Sequence, residues 1–424
     1  AKTKGVDRAA SNGYVTDADS TVTVEFCDEA ADKCQDPEKK ELSLGDKPAE
    51  FIRVTIISDV PMTFGRVLGR DLVTNRVVAI ARVQGITTTS LFNAGAGLYS
   101  VKDGNSDDCF KVNGSANLVL HDTGIFVNCG GNSALFLNGS AQIGMGANAR
   151  VVGCTNKPEF PISGTGTIDC GVAPQPVGES TFKDVPTAPS TPNCTSPGGP
   201  KSGNTWSPGY YSSNISISSS DFLSDGTYCF INGAKPKLTG GASMKGGKVK
   251  LVLSDDLDLM GDANQFESLE IFMNNADFQV FGTLTADRFR FYGKGDSTFG
   301  VQSGAFTSGD AYIYSEEGEI DIQAQAVVNM HAPPPGDEFG GMLIYMPWDN
   351  TNAFVLNGGT NSTWYGTVLV PHAPVTYNGD AGFKLYGQVI GYTFDINGGG
   401  KSDIFFDSDV VFSPPNDPTI EFTK

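Results

Sequence analysis

Two short stretches carry the residue types that cleave polysaccharides. Asp255, Asp256 and Asp258 in SDDLDL, and Glu319 with Asp321 in EIDIQ, offer the paired carboxylates of a glycosidase. Arg288 and Arg290 in DRFRFYG alternate, which puts both on one face of a strand. None of these forms a recognisable catalytic signature, because polar residues alternate on any strand that has one face in water. The three histidines stand at 121, 331 and 372; the latter two are near proline in loop-like contexts and have no Ser or Cys motif beside them. There is no nucleophile elbow, P-loop or HExxH, so the reading is of a chain that is not an enzyme. A carbohydrate-acting alternative would need an open groove of aromatics and carboxylates, and Trp348 and Trp364 with Asp349 form the cluster to inspect.

DGNSDD, residues 103 to 108, sets oxygens at alternate positions as calcium loops do, through Asp103, Asn105 and Asp107. Asp108 stands where the sharp-turn glycine belongs and no Glu closes the loop, so a solvated turn before Cys109 is the more economical reading, with no cofactor otherwise expected. Sequons occur at Asn113, Asn138, Asn193, Asn214 and Asn361. The first two coincide with Asn-Gly corners, where a glycan would disturb stacking, which leaves Asn193, Asn214 and Asn361 as the better glycosylation candidates. Eight cysteines show no CxxC and no Cys/His ligand spacing. Disulfides in an oxidising compartment fit better than zinc, and of the 105 connectivities open to eight cysteines neighbour pairing is expected: Cys27 with Cys34, Cys109 with Cys129, Cys154 with Cys170, Cys194 with Cys229.

What must position these residues is a chain of 424 residues with 52 glycines, rich in Ser, Thr and Asn, in which short strands end at tight turns. Lys plus Arg number 29 against 48 Asp plus Glu, a net charge of -19 that repels nucleic acid and anionic lipid. No apolar run approaches the roughly 18 residues of a membrane span, and the displayed sequence is expected to be a processed, secreted form. Residues 1 to 84 read as a small α/β module, with strands STVTVEF, EFIRVTIIS and VTNRVVAIARV and a helix opening at Pro61. From 85 to 157 VNGSANLVL returns as LNGSAQIGM 25 residues later. Residues 158 to 208 hold 10 of the 23 prolines and read as a disulfide-tied connector. From 209 to 412 short alternating strands resume, and 413 to 424 is a tail with the strand-like PTIEFTK.

In the second repeat Tyr365-Gly366 returns as Tyr386-Gly387, and Asn-Gly recurs at 357, 378 and 397. Coils of 20 to 25 residues with like residues stacked over like are the mark of a β-solenoid, and a right-handed parallel β-helix is the expected fold. Aliphatic ladders would face inward, and asparagines at a recurrent corner would bond to the copies above and below. A β-sandwich is the alternative, since Asn-Gly also makes hairpin turns.

Residues 8 to 84, with RAASNGY, FIRVTIISDVPMTFGRVLG and VTNRVVAIARV, resemble the segment after the membrane helix of TadE/TadG-like proteins of the Tad (Flp) pilus-assembly system. CFKVNGSANLVLHDTGIFVNCGGNSALFLNGSAQIGMGANARVVG and PGYYSSNISISSSDFLSDGTYCF resemble the long C-terminal part of TadG-like chains. Residues 340 to 399 are similar to β-helical domains attached to bacterial surface and pilus-associated proteins. The resemblance implies a structural, extracellular role at the bacterial surface and carries no catalytic residues. Of the family's N-terminal membrane helix and its alanine-rich continuation only DRAASNG has a counterpart in these residues, and either release by cleavage or an anchored form outside this sequence is expected. A solenoid has two open ends, and the tail, through Thr419, Ile420 and Phe422, is expected to reach a neighbouring subunit. Expected partners are copies of the chain, pilus or surface components, and glycans.

Overall fold

The computed structural model describes residues 95–157, 162–323, 325–358, 361–379 and 382–413 of one unit, and 6, 9–10, 13–17, 19–27, 51–61, 72–84 and 419–422 of another. The smaller unit is an antiparallel sheet of β1 (Ser20–Phe26), β2 (Phe51–Pro61), β3 (Leu72–Gln84) and a tail strand, Thr419–Phe422, in that order. The three expected head strands are therefore present. Pro61, where the sequence predicts a helix opening, is the last residue of β2, and residues 62–71 and the partner position Cys34 lie outside the described residues; Cys27 is disulfide-bonded. The tail strand pairs with β3 of its own chain, Ala81 opposite Phe422 and Gln84 opposite Thr419.

The larger unit is a β-solenoid of about 14 turns. The ladders between its named strands are parallel and keep their register except at three irregularities, between Met342 and Ile344, Val370 and Pro374, and Ala96 and Leu98. The repeated phrase is the clearest case: Tyr365 lies opposite Tyr386, Gly366 opposite Gly387 and Asn378 opposite Asn397. Glycine is obligatory at the second of these positions. Gly387 has φ +151° and a Cβ there would stand 1.9 Å from the Gly366 carbonyl oxygen.

Each turn contributes inward side chains to three stacked columns. One runs Tyr228, Leu251, Ile271, Phe291, Ile313, Ile344, Val368, Val389, Leu98, Ile125 and Ala149, all inside one continuous core. A second carries Phe278, Phe299, Ile320, Phe354, Val375, Phe394, Phe110 and Leu135. The stacking order along the axis is not the order of the sequence. The last coil, Phe383–Gly398 and Lys401–Phe405, is followed in space by Ala96–Ser100, Phe110–Val112 and Asn117–His121. The coils read as first are thus stacked beyond the last, ending in Ile162–Gly164 and Ile168–Cys170.

This permutation makes the proline-rich segment a strap. It must return from Cys170, at one end of the stack, to the opposite end, where Pro197 bridges to Tyr210. Twelve steps of roughly 4.8 Å make about 58 Å, and the intervening chain, at up to about 3.3 Å per residue, is long enough. The strap does not lie in solvent: Phe182 and Val185 are buried on the solenoid. They cover a second, outward ladder, Val252, Phe272, Tyr292, Tyr314, Tyr345, Leu369, Ile390, Tyr99 and Phe126, which adjoins the first column. Tyr312 donates from its hydroxyl to the Pro186 carbonyl at 3.0 Å, and the Asn128 amide exchanges two 2.8 Å bonds with the backbone of Gln175.

The disulfides Cys109–Cys129, Cys154–Cys170 and Cys194–Cys229 are formed, as neighbour pairing expects. The last two fix the strap at its ends.

The seam between residues 383–405 and 96–121 is held by Phe110 stacked on Phe394 at 4.9 Å, and by Asn113 donating to Asp395 at 2.9 Å and Asn397 at 3.1 Å. Here the core leaves an apolar cavity of about 40 Å³ among residues that include Leu98, Leu118, Phe354 and Val389. Phe394→Ala enlarges it. The substitution should cost about 3–5 kcal/mol in urea unfolding, with amide exchange rising first in residues 96–137. Unchanged protection of those residues would show that they stand without the last coil.

Candidate functional site

The solenoid brings some of the singled-out carboxylates onto one face and ties Asp255 and Asp256 into rung-to-rung bonds. Asp256, Asp277, Thr298 and Glu319 precede strand residues Leu257, Phe278, Phe299 and Ile320, which lie opposite one another in turn. Asp256 accepts the amide of Asp277 at 2.9 Å, and Asp277 accepts that of Thr298 at 3.3 Å. Asp255 holds Lys235 at 3.1 Å. Asp321 accepts both bonds from the Gln323 amide, at 2.8 and 2.7 Å. Asp258 and Asp321 lie three rungs apart, about 14 Å, beyond the separation of a glycosidase pair.

Two of these carboxyls titrate high. Burial raises Glu319, and the charges of Asp321, Asp277 and Asp296 raise it further. Burial likewise raises Asp258, with help from Asp256 and Asp277 against the pull of Lys235.

Arg288 and Arg290 do share a face, as their alternation requires, but Arg290 is fully buried. It bonds the carbonyls of Phe289 and Asp310 and pairs with Asp310 at 2.7 Å and Asp337 at 3.3 Å. Arg288 reaches the same Asp337 at 3.3 Å, so the pair anchors the loop that carries Asp337. At the opposite end of the stack, burial would raise Asp221, yet Lys201 and hydrogen bonds from Ser218 and Trp206 outweigh it and hold its carboxyl at about 2.

Asp103, Asn105 and Asp107 are exposed, and Asp107 accepts the amide of Ser133 in the next coil at 2.8 Å. Gly130 and Gly131 donate to the carbonyls of Gly104 and Ser106, so the loop is a stacked corner. Asp108 itself takes the positive φ, +57°, that the glycine would have taken. Among the described residues no group of three His, Cys, Asp or Glu side chains is arranged to hold a metal ion.

The corner asparagines do bond along the axis: Asn378 donates to Asn357 at 2.6 Å, and Asn113 to Asn397. Asn113 is therefore committed. Asn193, Asn214 and Asn361 are exposed, and Asn214 also accepts the Lys235 amide at 2.8 Å.

The tryptophan cluster does not assemble. Trp364 is buried in the core and donates to the Val328 carbonyl, whereas Trp348 stacks with Phe182 of the strap and with His372. Asp349 is exposed.

Sequence reading missed a ring stack on the outer surface: His331, Tyr365, Tyr386, Phe405 and His121 lie on successive rungs with centroids 4.0 to 4.6 Å apart. Their in-register aromatic positions were a signal only once the coil order was known. The rings cover one another's faces and turn their edges outward, so between neighbours no face is left for a sugar ring to lie on. His121 also contacts Asp403 at 2.7 Å, and burial lowers His331.

With this geometry in view, comparison finds nothing closer. No family model, curated protein or solved structure matches the chain.

Two outcomes follow from this face and its cover. The folded state holds the Glu319 proton more tightly than the unfolded chain does, so ionisation of Glu319 costs stability as pH rises through its raised value. Glu319→Gln should raise the melting temperature at pH 7 and leave it unchanged below pH 4; an equal gain at both would exclude ionisation as the cause. Reducing Cys154–Cys170 and Cys194–Cys229 should let protease cut within residues 171–193 of the Phe182→Ala chain well before the oxidised, unsubstituted chain is cut there.

Proposed function

We propose that this chain is a non-enzymatic, extracellular structural protein of the bacterial cell surface, associated with a Tad-type pilus and serving adhesion, matrix or filament formation. The observation that carries the reading is how its polar side chains are used. Asn113, Asn378 and Asp256 are bonded between rungs, and Asn128 and the buried Arg290 to the strap and loop that cover the ladder. Such bonds stiffen a rod along its axis. Three disulfides add the stapling typical of oxidising compartments. The pilus association rests on the TadE/TadG-like sequence resemblance. Copies of the chain, other surface components and glycans on Asn193, Asn214 or Asn361 are the partners this role implies.

One feature favours the alternative, a polysaccharide-acting solenoid: Glu319 keeps its proton to raised pH two rungs from Asp277, about 10 Å away. A glycosidase acid needs the first property, and inverting enzymes need nearly that spacing. Asp277 accepts the Thr298 amide at 3.3 Å through one of its carboxylate oxygens.

Electron microscopy of protein taken from the cell exterior, then of the purified chain at rising concentration, tests the reading. Rods that associate into fibres are expected, with no change in them on Glu319→Gln. Hydrolysis of a surface polysaccharide that Glu319→Gln abolishes would replace the structural reading with the enzymatic one.

A further inference from the structure

We propose that the tail strand Thr419–Phe422 is exchanged between copies of this chain, the tail of one molecule completing the N-terminal sheet of the next. The inference rests on the filament-forming reading above and names its partner surface: the outer edge of β3 at residues 81–84.

The tail strand enters the sheet through backbone pairing, Ala81 with Phe422, Arg82 with Glu421, Val83 with Ile420 and Gln84 with Thr419. Such an added strand is held by main-chain hydrogen bonds, which form equally well whichever molecule supplies the strand. No hairpin enforces the pairing within one chain, since Gln84 and Thr419 are separated by the whole solenoid unit. The linking sequence Pro414-Pro415-Asn416-Asp417-Pro418 has three prolines in five residues, a composition of extended, semi-rigid spacers. Exchange therefore trades identical contacts, and concentration decides between the two arrangements.

The solenoid ends are poorer routes to a fibre. At one end the described edge strands are Thr205–Trp206, Gly209–Tyr211 and Ile215–Ile217, beside Pro197, Pro200 and Pro208; at the other they are Ile162–Gly164 and Ile168–Cys170. Very short edges, and proline beside them, resist edge-to-edge pairing. Tail and β3 edge, by contrast, are different surfaces, so the contact between copies is head-to-tail and propagates unless a ring closes.

The test uses two full-length chains, Val83→Cys and Ile420→Cys, mixed in equal amounts over a range of concentrations and gently oxidised. Exchange brings the two positions face to face across chains, so it should join the two different chains in preference to like with like. The expected result is a mixed cross-linked dimer that grows with concentration, exceeds what either variant gives alone, and disappears when residues 419, 421 and 422 of the Ile420→Cys chain are replaced by Gly and Ser while its thiol is kept. The double variant Val83→Cys/Ile420→Cys keeps the proposal falsifiable. If it cross-links wholly within single chains even in fibres, exchange is overturned while the filament reading stands. Mixed dimers without fibres in electron micrographs would uphold exchange and remove the filament reading.

Discussion

Everything in the larger unit depends on one constraint: each rung must lie in register over the next in a parallel ladder. Register places like over like, so a single backbone requirement propagates along the axis. Gly387 must be glycine because Gly366 presents its carbonyl there, and Asn378 bonds Asn357 because both occupy the same corner. The same constraint explains the double burial of one column. Its inward residues fill the interior, and the residues beside them form an outward ladder of aromatic and aliphatic side chains that no solvent-facing sheet tolerates. A cover is then obligatory, and the strap supplies it with Phe182 and Val185. Burying such side chains is worth about 1.5–3 kcal/mol each, so strap and ladder stabilise one another.

Much of this was legible in the sequence where the signal is local. The Tyr-Gly and Asn-Gly returns reported register, because a rung is about as long as the repeat. Three disulfides followed from neighbouring positions in the chain, and the head strands from their alternation. The order of the coils was not legible. Every rung obeys the same pattern, so nothing local tells residues 96–121 that their lower neighbour is 383–405 and not a coil beside them in sequence. The strap was read as a connector because proline content reports extension and is silent about what the extended chain lies on. The outward ladder was written in consecutive apolar residues such as MLIY at 342–345, which mean burial on both faces. The burial of Trp364 was not legible because a lone tryptophan gives no direction until the phase of its strand is fixed.

Permutation has a physical consequence for how the chain can fold. A solenoid whose neighbours in space are neighbours in sequence can grow rung by rung, each template preceding its copy. Here residues 96–121 have as their template a coil that follows them by almost three hundred residues, and such non-local pairing is slow. The cysteines are distributed as this demands. Cys109–Cys129 and Cys154–Cys170 lie within the block that has to wait, and Cys194–Cys229 pins the returning strap to the far end. Closing loops with sequence separations of 16 to 35 residues is worth roughly 3–4 kcal/mol each, enough to hold separate pieces in shape before their partners exist. From residue 230 onward, where each coil rests on the one before it in the sequence, there is no cysteine at all. The placement of the solenoid's three disulfides thus follows the one place where the ladder runs against the chain.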